Sequence, residues 1–135
     1  MTRINVVDVE ELSKEHAFGE YKEILRPFNK VKKALAKYPN KWMFYKNYRG
    51  KMPSDYTMGT GHETFFFDKL MYIAKRYQEL CKWRQERGYK YTEISVEELT
   101  EGLPEFVLGD YTATDNALQV NRERLQLRLS GVKDN

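Results

Sequence analysis

The sequence predicts an all-α protein, and three observations carry that reading. Apolar residues recur at spacings of three and four over two long segments, no stretch alternates with the period of a strand, and helix-capping signals precede the periodic segments. At 135 residues the chain has one domain's length, residues 1–135, and can bury most of its apolar surface around one core. The expected architecture is three main helices plus a short one.

The first helix is expected from Val9 to about Lys37, with Asp8 as its cap and Glu11 completing a capping box. Leu12, Ala17, Phe18, Tyr21, Leu25, Phe28, Val31 and Leu35 give it a core-facing stripe. Pro27 removes a hydrogen bond to the Glu23 carbonyl and should kink it there, either as a packing bend or to open backbone to a substrate. Residues Tyr38 to Lys51 read as a loop by their Pro, Asn and Gly content. Trp42, Tyr45 and Tyr48 interleave there with Lys46 and Arg49, so the loop can stack on bases and hold phosphates, or pack on the core as a flap.

A second long helix is expected from near His62 to Gly88, burying Phe66, Leu70, Ile73, Tyr77 and Leu80. Phe65, Phe67, Met71, Tyr72, Cys81 and Trp83 widen its apolar face and make it central, while His62 either caps it or touches substrate. Ser95 and Glu98 form a capping box for a short helix stopped by Gly102 and Pro104. A last helix, Asp115 to Leu129, should bury Leu118, Leu125 and Leu129 and expose Arg122, Arg124 and Arg128.

Composition excludes several classes. No apolar run approaches the roughly 18 residues of a membrane span. Asp8, Glu10 and Glu11 occupy the place of a signal peptide's apolar region, so a cytoplasmic location is expected. One cysteine, Cys81, cannot form an internal disulfide and reads as a core or half-buried residue, and two histidines offer none of the usual metal-ligand spacings.

The net charge is +3, but it is unevenly spread. From Lys22 to Lys51 ten Lys or Arg residues stand against one acid, Glu23; from Thr92 to Asp110 six acids stand against no base. Such polarity suits a basic face for a polyanion and an acidic back, or a set of solvated helix faces. The isolated Glu23 favours the functional alternative, because a carboxylate weakens mere phosphate binding.

Near the start of the chain a reactive group suggests itself. Thr2 is small, so removal of Met1 would leave its α-amine, which titrates at about 7.7–8.0 and is partly nucleophilic at neutral pH. His16, Glu20 and Glu23 fall on one face of a helix, with Arg3, Lys22 and Arg26 as surrounding cations.

The order Thr2-Arg3-Ile4-Asn5, His16, Glu20-Tyr21-Lys22-Glu23, Arg26 and Phe28 resembles the phage pyrimidine-dimer DNA glycosylase (endonuclease V) family. Gly59-Thr60-Gly61-His62, Phe65-Phe66, Asp68-Lys69-Leu70, Arg87-Gly88-Tyr89, Pro104-Glu105-Phe106, Gly109-Asp110-Tyr111, Arg124-Leu125 and Arg128 keep the family's order. The resemblance spans nearly the whole chain, and its first 28 residues match without gaps. Two departures are Lys22, where the family has arginine, and Glu15, where its best-known member is uncharged. That member's aromatic, basic tail is absent, and residues 38–51 make a longer loop than it has.

What the resemblance implies is an N-terminal segment packed into the active site, with Thr2 and Glu23 catalytic and Arg3, His16, Lys22, Arg26, Arg124 and Arg128 on DNA. The implied activity is that of a DNA glycosylase with AP-lyase action on cyclobutane pyrimidine dimers. It uses no cofactor or metal and acts as a monomer on double-stranded DNA, in the cytoplasm of a phage's bacterial host. A flipped-out nucleotide at a poorly stacked lesion is part of that expectation. Two alternatives remain at this point: the same chemistry on another base lesion or on abasic sites, and a non-enzymatic DNA-binding protein on the same scaffold.

Overall fold

A computed structural model describes the backbone of residues 3–129 and the side chains of residues 3–127. The described residues fold into helices α1 (Lys14–Glu23), α2 (Arg26–Lys37), α3 (Lys41–Tyr48), α4 (Leu70–Glu86), α5 (Val96–Thr100) and α6 (Asp115–Leu129), joined by short 3-10 turns. The class is all-α, as expected. Only an isolated bridge between Lys69 and Leu108 has β character among the described residues.

The expected first helix is three pieces. Asp8 caps a 3-10 turn, Val9–Glu11, and Ser13 rather than Asp8 caps α1, its hydroxyl accepting the His16 N–H. Pro27 does not kink a continuous helix; it stands in the first turn of α2. Its missing N–H belongs to a set that has no intrahelical partner at a helix start, so proline costs little there. The Ile24 N–H still reaches the Glu20 carbonyl at 2.8 Å, the chain turns, and Glu23 becomes the last residue of α1.

Residues 41–48 are helical, not loop. Asn40, read as a loop residue, caps α3 by accepting the Met43 N–H at 2.9 Å. Phe44 is buried, and Tyr48 packs on Phe44 and on Phe67, with ring centroids 5.2 and 5.6 Å apart.

Helix α4 starts eight residues later than expected, because Phe65, Phe66 and Phe67 are all buried and three adjacent rings cannot share one helix face. A 3-10 turn, Thr64–Phe66, aims them apart. Gly109 then caps the helix start: its carbonyl accepts the Met71 and Tyr72 N–H groups at 3.1 and 3.3 Å, and its own N–H donates to the Asp68 carbonyl. A Cβ at Gly109 would lie 2.4 Å from that carbonyl oxygen, so the approach requires glycine. Leu70, Ile73, Tyr77, Leu80, Cys81 and Trp83 of α4 are buried, and Gly88 follows the helix with φ +77° as a C′ residue should.

The core joins α4 to Ile24, Phe28 and Val31 around the α1–α2 break and to Ile4 and Val7 of the N-terminal arm. Each such side chain contributes about 1.5–3 kcal/mol on burial. The capping of α5 by Ser95 is as expected. Helix α6 has the expected bounds but turns Ala117, Asn121 and Leu125 inward, with Leu118 half-buried; Arg122 is exposed, whereas Arg124 is half-buried.

Candidate active site

The site is built on an extended arm, Arg3–Val7, that belongs to no helix or sheet. Its backbone groups therefore need partners elsewhere, and side chains supply them. The Arg3 N–H donates to Glu23 Oε2 at 2.9 Å, and the Ile4 N–H to His62 Nε2 at 2.8 Å. Asn121 Oδ1 accepts the N–H groups of Val6 and Val7, at 2.7 and 3.1 Å. Tyr56 donates its hydroxyl to the Ile4 carbonyl at 2.8 Å, and the Arg76 guanidinium donates to the Val7 carbonyl.

A second layer fixes these partners. Arg76 Nε donates to Glu20 Oε2 at 2.7 Å and its Nη2 to Oε1 at 3.1 Å, a forked pair with both side chains almost wholly buried. Burial works against the Arg76 cation, yet the charge and hydrogen bonds of Glu20 hold its pKa above the ordinary value. Asn5 Nδ2 donates to Glu20 Oε1, and Asn121 Nδ2 to Asn5 Oδ1, each at 2.8 Å.

Beside the arm lies a pocket of about 180 Å³. Arg3 and Asn5 of the arm, His16, Glu20 and Glu23 of α1, and Arg124 of α6 line it. Glu23 is half-buried at its rim, so one carboxylate meets both solvent and the arm. His16 is oriented by its own helix cap, with Ser13 Oγ 2.8 Å from Nδ1. Glu15, the extra carboxylate, also lines the pocket, opposite in sign to Arg3 and Arg124.

The geometry thus brings Arg3, His16, Glu23 and Arg124 together. Lys22 is exposed on α1 away from that lining, and Arg26 is exposed beside a neighbouring depression shared with Lys30, Gly59, Gly61 and His62. Thr2 and the Arg128 side chain lie outside the described residues. In α3 the candidates divide: Trp42 is 69% exposed with Lys46 Nζ 4.9 Å from its ring centre, and Arg49 lies over the Tyr45 ring. Tyr45 packs on Phe44 and Phe106 and donates its hydroxyl to Asp68 at 3.1 Å, and burial first, then Asp68, pushes its pKa up to about 12.

Sequence reasoning read His62 as a helix cap or a substrate contact, whereas the structure shows it buried and bonded to the arm. That reasoning missed Tyr56, Arg76 and Asn121. Their partners lie 52 to 115 residues away in the chain, so no local pattern announces them. Met58, a further wall of the pocket, carries no sequence signal either.

Together these features define a helical protein with a carboxylate held against an N-terminal arm in a small pocket flanked by arginines. The pyrimidine dimer DNA glycosylase family model matches residues 1–95, which include the arm, Glu23, His62 and Arg76, and the chain belongs to that family. Membership makes it a DNA-repair enzyme, a glycosylase whose substrate is DNA carrying pyrimidine dimers.

Proposed function

We propose that the glycosylase works through the Thr2 α-amine and is also an AP lyase on cyclobutane pyrimidine dimers. The observation that carries this reading is the 2.9 Å bond from the Arg3 N–H to Glu23 Oε2. By its covalent constitution, a Thr2 amine stands three bonds from that nitrogen, within roughly 3–4 Å of it. An amine tethered so close to a carboxylate has a base beside it.

The chemistry then follows in steps. The amine nitrogen bonds to C1′ and the C1′–N bond to the base breaks, the leaving base taking up a proton. The C1′–O4′ bond opens with a proton delivered to O4′, leaving an iminium between the enzyme and C1′. Glu23 stabilises the developing positive charge, then removes the acidified C2′ proton, and the C3′–O bond breaks with loss of the 3′ phosphate. Arg3 and Arg124 hold phosphates at the pocket, with His16 as a further contact.

The DNA continues beyond the pocket along α2. Arg26, Lys30, Lys33 and Lys37 are all exposed, and their spacings of four, three and four put them on one face of that helix. This ridge rises about 16 Å toward α3, where Trp42 and Lys46 can meet flanking duplex. Lys22, exposed on α1, is a further cation for the phosphates in this reading.

Borohydride trapping on dimer-containing and abasic DNA tests the mechanism. Protein processed to Thr2 should form a covalent adduct; protein retaining Met1 should form none, because its amine is displaced by about 3.8 Å. Glu23→Gln should bind damaged DNA normally while base release and strand cleavage slow by at least about 10²-fold. Undiminished trapping by Met1-retaining protein would transfer the nucleophile to a lysine.

A further inference from the structure

Among the described residues the buried polar side chains are Asn5, Glu20, His62, Arg76 and Asn121, and each bonds the arm or a residue that does. Most of them hold Asn5, Val6 and Val7. His62 is different: it acts at Ile4, the next residue after the one that meets Glu23.

Its chemistry is constrained from both sides. Nδ1 lies 2.8 Å from the Thr57 carbonyl oxygen, which can only accept, so Nδ1 carries the ring proton. Nε2 then holds a lone pair, and the Ile4 N–H donates to it at 2.8 Å. The ring cannot rotate out of this arrangement without displacing Tyr56 and Phe66, whose rings stand edge-on with centroids 5.3 and 6.0 Å away. Tyr56 in turn donates to the Ile4 carbonyl, so one packed unit grips both polar groups of a single arm residue.

We infer that His62, backed by Thr57 and Tyr56, is a positioning residue for the reaction, setting the register of the arm so that its amino end meets Glu23 and C1′ at bonding distance. It touches neither substrate nor reacting atoms. Its effect passes through Ile4, and the inference rests on the Thr2-amine reading above. A misplacement of about 1 Å in a reacting group costs on the order of 10²-fold in rate.

Two substitutions separate positioning from simple stability. In His62→Asn the amide N–H can still donate to Thr57, but nothing reaches the Nε2 position to accept from Ile4. In His62→Gln the amide oxygen reaches that position and can accept. We expect His62→Asn to bind dimer-containing duplex within about twofold of wild type while its single-turnover rate and borohydride trapping fall on the order of 10²-fold. His62→Gln should recover most of that rate.

A purely structural role would lower binding and melting temperature together and leave the single-turnover rate of the folded fraction unchanged. That result, or a His62→Asn rate equal to wild type, overturns the inference. Should His62→Asn fail to fold, Tyr56→Phe decides. It removes only the hydroxyl that grips the Ile4 carbonyl, and a folded Tyr56→Phe protein with wild-type rate is equally fatal. Failure of the wild-type protein to be trapped would instead overturn the amine reading, whatever the variants do.

Discussion

The arm Arg3–Val7 and helix α3 both carry candidate residues, and they are held by opposite means. The arm has no secondary structure, and its backbone is bonded by the half-buried Glu23 of α1 and by buried side chains drawn from α4, α6 and the Tyr56–His62 segment. Helix α3 satisfies its own backbone, is capped by its neighbour Asn40, and buries one ring, Phe44, while Trp42 stands in solvent. A buried polar network is costly if incomplete and rigid when complete. An exposed aromatic beside cations costs little and can adapt. On the proposed reading, the contrast gives precision to the arm, where the chemistry would need fixed atoms, and tolerance to α3, where a flanking duplex would need only a surface.

The contrast should break first, and most heavily, at the Glu20–Arg76 pair. Arg76→Met leaves the Glu20 carboxylate buried without its partner and should cost about 3–5 kcal/mol, read as a lower urea midpoint at unchanged slope. A loss below about 1 kcal/mol would mean that the arm's network is dispensable.

A smaller effect is expected from acid. Burial pulls the His62 pKa below its ordinary value of 6.5, against the Thr57 carbonyl and the charges of Glu63 and Glu20, and together with the charge of Arg3. The unfolded chain therefore takes up this proton before the folded one does. Stability from this group is complete above about pH 6.5 and declines as pH falls from there toward the folded value. In melting curves from pH 7.5 to 5, His62→Gln should flatten that decline; an identical decline in both proteins would assign it to other groups.

The smallest change in stability belongs to α3. Trp42→Ala should shift unfolding by no more than about 0.5 kcal/mol, since the side chain is largely exposed. Its binding to damaged duplex should weaken by about 1–3 kcal/mol if the indole stacks on a base. Equal affinity, measured by titration at fixed salt, would reduce α3 to structural padding around Phe44.

What sequence reveals follows the same division. Local signals were legible: Ser95 as a cap, Gly88 after α4 and the bounds of α6 all stand where short-range rules put them. Pro27 was legible as a disruption but not as a helix start, because one residue permits either and only the turn at Ile24 and Leu25 decides. Asn40 was misread for a related reason, since an asparagine after a proline suits a turn as well as a cap. Of the site, Arg3, His16, Glu23 and Arg124 were named from sequence and line one pocket. Tyr56, Arg76 and Asn121 were not named, and His62 was not read as a bond to the arm, because a buried side chain of this kind is chosen by a partner that only the folded chain brings near.

One consequence concerns how the domain opens. Segments without secondary structure usually fray on their own, on timescales far shorter than unfolding. The arm has no such independent route: freeing Val6 and Val7 strands Asn121 in α6, and freeing Val7 also loosens Arg76 in α4 and, through it, Glu20 in α1. The arm and these helices therefore form one cooperative unit, and a segment without regular structure opens only together with them.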